Sequence, residues 1–162
     1  MSKALVSQYG AGLLMLDDAL RKGQDLGLWI SPAPVAPFWQ IGYHALFYTD
    51  LYLCADERAF RPWPGHEPSW PRLGDLAVAA RAPELASLLE YTAALRSSLT
   101  TRLSALDPDS PAGFEWIPFN RGELFIYTLR HLQHHTGQLA ERVRHAGGPP
   151  VSWVGLDLES EV

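Results

Sequence analysis

The chain has 162 residues and a mass of 18.0 kDa, one domain's worth, and a chain of this size buries roughly 70% of the surface it exposes when unfolded. Apolar residues make up 47% and charged residues 19%, which excludes a disordered chain, and a net charge of -5 offers a polyanion no attractive face, so nucleic-acid binding is not expected. The single cysteine, Cys54, excludes an internal disulfide framework and fits a reducing compartment, so a cytoplasmic location is expected, and no apolar run approaches the ~20 residues that cross a bilayer.

The first twenty residues carry one lysine and an apolar stretch, in the manner of a weak signal peptide. That stretch is broken by Gln8 and runs into Asp17 and Asp18 with no small-residue cleavage site, so it reads as the first helix of the fold. This helix is predicted from Ser2 to Lys22, with Leu5, Tyr9, Leu13, Leu16 and Leu20 on one face and Gly23 as its stop. Asp17 with Arg21 and Asp18 with Lys22 are acid-before-base pairs at four-residue spacing.

A connector holding Gly27, Pro32, Pro34 and Pro37 leads to a second predicted helix from about Pro37 to Ala55. Phe38, Ile41, Phe47, Tyr48, Leu51 and Tyr52 dominate it. The stretch 56–81 interleaves Pro62, Pro64, Pro68 and Pro71 with Trp63 and Trp70, too many prolines for regular structure before a short helical turn near Leu73–Ala79. Tryptophan in such a loop predicts that it packs down on the body of the fold.

The third helix is expected to open at Ala82-Pro83-Glu84, with proline in the first helical position, and to end at Asp107-Pro108. Leu85, Leu88, Leu95, Leu99, Leu103 and Leu106 form its stripe. The fourth starts at Asn120, which has capping-box spacing to Glu123, and persists to Ala146 before Gly147-Gly148-Pro149-Pro150. Four amphipathic helices with no internal repeat predict an all-α, antiparallel four-helix bundle in a single domain over 1–162, with a tail at 148–162.

The fourth helix contains RHLQHHTGQL, with His131, His134 and His135. Histidines four apart share a helix face and can grip one metal ion through imidazole nitrogens. Measured from the apolar sector of Leu124, Phe125, Leu129, Leu132, Leu139 and Val143, His135 lies about 60° away, His131 about 100° and His134 about 160°. His131 and His135 are therefore the inward pair and His134 is expected to face solvent. Leu132 stands where a zinc protease carries its glutamate base, so that chemistry is discarded. A third ligand has to come from another helix, and the candidate is His44, which shares the apolar face of the second helix with Ile41, Phe47, Tyr48 and Leu51. A lone histidine on an apolar face is more often a satisfied core residue than a ligand; three inward ones on two helices of one bundle bring a metal level with that reading. His66 lies in the proline loop, and His145 suits the helix dipole at the end of the fourth helix.

The segment PFWQIGYHALFYTDLYL, with its histidine, and the string RHLQHHTGQLAERVR resemble the DinB-like (DinB/YfiT) family of four-helix bundles, over roughly Ser2–Gly147. The resemblance implies a divalent metal, usually zinc or nickel, held by His44, His131 and His135 at one end of the bundle, and a homodimer. Segment 56–81 and the tail beyond Pro150 are less typical of that family, so substrate and pocket shape do not carry over.

Three histidines would leave an open coordination position, as in catalytic zinc sites. Tyr48, one turn past His44, Tyr127, one turn before His131, and Gln138, one turn beyond His135, are candidate pocket residues, though core packing explains each as well. Three readings follow: a metal-dependent enzyme acting on a small molecule, by thiol transfer or hydrolysis as in some members of the resembled family; a non-catalytic metal- or small-ligand-binding protein, stress-related; or a bundle with structural histidines. Cys54 is a poor nucleophile candidate, because nothing near it in sequence lowers its pKa. Imidazole binds metal only when neutral, so metal-linked stability is expected to fade as pH falls through about 6.5.

Overall fold

The predicted periodicities appear as four helices in the computed structural model, which describes residues 2–31, 36–74 and 81–157. They are α1 (Ser2–Asp25), α2 (Phe38–Tyr52), α3 (Leu85–Ala105) and α4 (Arg121–His145). No strand occurs among the described residues; an isolated bridge joins Pro111 to Asn120. No described helix is long and apolar enough to cross a membrane.

Contacts set the bundle's cyclic order. Helix α1 packs on α3 and α4, and α2 packs on α4 and α3, while α3 and α4 lie farthest apart, across a diagonal. Directions follow from paired positions. The Tyr9 hydroxyl donates to the carbonyl of Phe125, near the start of both α1 and α4, and Lys22 bonds Pro150 just past the end of α4. Helices α1 and α4 therefore run the same way. The Trp29 indole, just after α1, donates to the Pro83 carbonyl just before α3, so those two run antiparallel. His44 with His131 and Tyr52 with Tyr127 set α2 antiparallel to α4, and Tyr43 with Tyr91 and Asp50 with Arg102 set α2 parallel to α3. The bundle runs up, down, down, up, and its antiparallel neighbour pairs are α1–α3 and α2–α4. Of the three connections only α2 to α3 joins helices that run the same way, which is the topological reason for the long connector before α3.

Helix boundaries depart from the periodicity at three ends. Gly23 does not stop α1, which continues to Asp25. It is buried inside the helix with the Phe38 ring where a Cβ would stand, so its job is the close approach of α2. The turn out of α1 falls at Gly27, whose φ of 69° suits glycine. Helix α2 ends at Tyr52, short of Ala55. Helix α3 starts at Leu85, so Pro83 lies before the helix and its carbonyl takes the Trp29 indole. The cap of α4 is as expected: the Asn120 side chain accepts from the Glu123 amide at 2.9 Å.

The interior is aromatic around α2. Tyr9, Tyr43, Phe38, Trp39, Tyr91 and Phe125 are all buried. The proline loop packs down through both tryptophans: Trp70 meets Trp39 and Tyr43 edge-on, and Trp63 stacks on Tyr91 at 4.7 Å. The expected helical turn near Leu73–Ala79 lies mostly outside the described residues. The tail returns across α1 and α3, where buried Asp157 takes two hydrogen bonds from Arg96 at 2.6 and 2.7 Å. The predicted pairs on α1 form, Arg21 with Asp17 and Lys22 with Asp18, both at 2.6 Å.

Candidate metal centre

Helix α2 has few wet positions; all but three of its fifteen residues are buried. His44 is one of the three, half-buried toward α4, where His131 and His135 stack one turn apart on the facing surface. Their ligand atoms lie within 4.8 Å of one another. His131 Nε2 stands 3.0 Å from His44 Nε2 and 3.1 Å from His135 Nε2.

Proton placement decides what this cluster is. His44 Nδ1 lies 2.6 Å from the carbonyl oxygen of Pro71. A carbonyl only accepts, so His44 carries its proton on Nδ1 and turns a bare lone pair at Nε2 toward His131. His135 Nδ1 lies 2.8 Å from Gln138 Oε1, an acceptor, which directs the His135 Nε2 lone pair to the same point. The same Gln138 amide donates from Nε2 to His134 Nε2 at 3.2 Å, which is what orients its oxygen. His131 Nδ1 is buried and has no hydrogen-bond partner among the described residues. With its proton on Nδ1, His131 leaves three lone pairs facing one another and a stranded N–H. With the proton on Nε2, it strands a lone pair. A cation among the three Nε2 atoms removes the first conflict, and outward hydrogen bonds to a carbonyl and an amide oxygen are the usual support of metal-binding imidazoles. The donor set therefore fits a metal ion.

Electrostatics point the same way. Burial pushes His44 down to about 4, with the Pro71 carbonyl pulling against it and the charges of His135 and His134 adding to it. Burial, then His135 and His44, pushes His131 down to about 3. His135 is lowered by burial and partly restored by Gln138. All three are neutral at physiological pH, the state in which imidazole binds a metal.

The other candidate residues fall at different distances. The Tyr48 ring sits 4.8 Å from His44 and 5.6 Å from His131, walling the cluster. Tyr127 is exposed and lines a cleft with Arg130, His131 and His134. His134 is exposed and outside the three-atom cluster, although its ring lies 4.9 Å from His135. His66 lies elsewhere, bonded through Nδ1 to the Tyr43 hydroxyl at 2.7 Å. His145 is exposed beside Glu141. Cys54 is half-buried with its thiol pushed up by burial, the opposite of an activated nucleophile.

Two contributors have no signal in sequence. The Pro71 carbonyl is a backbone atom in irregular chain. Gln40, buried on α2, donates to the carbonyl of Arg72 at 3.0 Å and sits 3.5 Å from that of Ser69, so it clamps the turn that presents Pro71. The Pro-rich character of 62–71 is the available hint that a shaped backbone lies there.

No curated protein and no solved structure matches the chain. The model of one family, described as the DinB superfamily, matches residues 19–139, a span that takes in α2, α3, most of α4 and all three clustered histidines. On that match, and with four helices in the arrangement above, the chain belongs to the DinB superfamily.

Proposed function

We propose that the protein binds one divalent metal ion, zinc or nickel, through His44, His131 and His135, and acts there as a metal-dependent enzyme on a small molecule, by thiol transfer or hydrolysis. The observation that carries this reading is the convergence of three Nε2 atoms, two of them with their protons held on the far side of the ring by Pro71 and Gln138. A divalent ion on three neutral imidazoles keeps its full charge and an open position, and so supplies Lewis acidity to a bound water or thiolate. The chain's own parts do the rest. Tyr48 closes one wall, the Pro71 turn holds His44 in one tautomer, and Gln138 holds His135.

A second reading, a metal or small-ligand carrier without turnover, is supported by the Cys54 thiol, which burial raises away from an activated thiolate. Metal analysis of the purified protein with an anomalous-scattering map tests the site. One equivalent of metal on the three named nitrogens supports it, and metal-free protein after supply of zinc and nickel overturns it. Turnover of candidate thiols with electrophiles, or of small esters and amides, separates enzyme from carrier. A cytoplasmic homodimer is part of the same proposal, supported by family membership alone; light scattering tests the oligomer.

A further inference from the structure

On the outer surface of α4 a cleft of about 220 Å³ is lined by Tyr127, Arg130, His131 and His134. It is smaller than the ~300–1,000 Å³ clefts that take drug-sized ligands, so its occupant is small. His131 belongs both to this cleft and to the histidine cluster.

Arg130 is the unusual residue. Of the four arginines on α4, Arg121 donates to the carbonyls of Cys54 and Ala55, Arg142 to those of Ser31 and Ala36, and Arg144 pairs with Glu141. Arg130 is exposed and has no hydrogen bond or ion pair among the described residues. Its neighbours three and four positions away are Ile126, Tyr127, Gln133 and His134, none of them acidic. A solitary guanidinium fork in a cleft shared with His131 makes that cleft electropositive, and a metal on the histidine cluster would make it more so. The wall beside it is flat and apolar. Tyr127 is 40% exposed and its ring meets Phe119 at 5.7 Å and Tyr52 at 6.2 Å, and Tyr52 in turn accepts the indole N–H of exposed Trp116.

We propose that this cleft binds a small aromatic carboxylate, its carboxylate on Arg130 and its flat body on Tyr127, beside His131. A lone planar fork matches a carboxylate in two parallel hydrogen bonds, whereas phosphate sites gather several cations or helix N-termini, and here there is one. The inference rests on the metal reading for its chemical purpose, because it names the substrate class of that site, but the cleft and Arg130 exist without it.

The test uses the full chain, loaded with zinc and, in parallel, chelated. Benzoate, its neutral counterpart benzamide, and inorganic phosphate are titrated and followed by calorimetry and by the ring signals of Tyr127 and His131 in nuclear magnetic resonance. Benzoate should shift both signals. Benzamide should bind at least tenfold more weakly, and Arg130→Gln should weaken benzoate by roughly 10–100-fold, the size of a charge-assisted hydrogen-bond loss, with Arg130→Lys in between. Equal binding of benzoate to wild type and Arg130→Gln, no binding of benzoate, or binding of benzamide or phosphate as tight as that of benzoate, each overturns the proposal. Metal content is measured on every sample. Protein that takes up zinc and ignores benzoate sinks this inference and leaves the metal reading standing; protein that takes up none yet binds benzoate through Arg130 does the reverse.

Discussion

Helix α2 presents a buried polar cluster on each of two sides, and they are built on opposite principles. Toward α3, the Asp50 carboxylate accepts from the Tyr91 hydroxyl at 2.7 Å and from Arg102 at 2.6 Å. Burial and the carboxylate itself keep Tyr91 protonated, so every partner of Asp50 is a donor and its charge is answered by Arg102. Toward α4, His44, His131 and His135 bring three atoms together that cannot all be satisfied by one another's protons. The first cluster is closed and needs nothing. The second holds a lone-pair conflict that a cation among the three Nε2 atoms would remove, and that contrast is what separates a closed polar core from a candidate binding site.

The contrast can be broken first at Asp50. Asp50→Ala strands Arg102 and the Tyr91 hydroxyl, which should cost about 3 kcal/mol, the low end for a broken buried pair because Arg102 reaches water. In a chain of this length that lowers the melting temperature by about 6–12 °C. Metal uptake should be unchanged. A loss below about 1 kcal/mol, read by thermal or urea unfolding, would show that the closed cluster is not holding the bundle together.

The histidine side should respond to metal instead. Chelation should leave the protein helical, since the core does not pass through the site, and should remove about 2.7 kcal/mol of stability relative to protein with free metal a hundredfold above its Kd. His135→Ala should abolish that increment and sharply lower metal content, whereas His134→Ala, at an exposed position, should preserve stoichiometry. In the chelated protein His135→Ala should cost less than Asp50→Ala, because it removes one of three crowded acceptors and no charge partner. Equal loss of metal from the two histidine variants would mean that both ring positions ligate, and unfolding on chelation would make the cluster a structural closure.

Proton competition sharpens the same difference, and it corrects the expectation drawn from free imidazole. His44 titrates near 4 and His131 near 3 in the folded chain, against about 6.5 when unfolded. Between those values the unfolded chain holds more protons than the folded one, so stability falls as pH falls. At pH 5 the His44 contribution to that loss is about 2 kcal/mol. It should appear in loaded and chelated protein alike. The metal increment itself should fade at lower pH than free imidazole predicts, because burial lowers all three folded histidines, and should be gone around 4 and below, where His44 and then His131 charge. Paired melts at pH 7, 5 and 4 check this; an increment already gone at pH 6 would place the three rings in a wetter setting than their burial indicates.

What could be read from the sequence was what helical periodicity encodes. The four elements, the Asn120 cap, the packed-down tryptophans and the phase of α4, with His131 and His135 inward and His134 outward, all follow from spacing. Gly23 misled because a helix stop and a helix contact both call for glycine, and only the position of Phe38 tells them apart. Asp50, Tyr91 and Arg102 were invisible because they lie 41 and 52 positions apart on two helices that pack in parallel, with no motif to join them. The Pro71 carbonyl was invisible for a different reason: backbone acceptors carry no residue signature, and only the fold of the loop brings this one to His44.

That hidden contact supports the subtlest test. Gln40 donates to the Arg72 carbonyl and lies close to that of Ser69, on either side of Pro71, so it sets where the Pro71 oxygen stands and thereby which His44 nitrogen carries the proton. Trp70, packed on Trp39 and Tyr43, still pins the turn when the amide is gone, so Gln40→Met should loosen the Pro71 oxygen rather than release it. Loss of an outer partner of a metal-binding histidine typically weakens metal by 10–100-fold, and the low end, about tenfold or ~1.4 kcal/mol, is expected here. Competition against a coloured chelator measures it. The substitution also deprives the part-buried Arg72 carbonyl of its donor, which lowers the melting temperature whether or not metal is bound. The two effects separate: a Gln40 that acts through His44 lowers the loaded protein's melting temperature more than the chelated protein's, while one that only braces the loop lowers both equally and leaves metal affinity where it was.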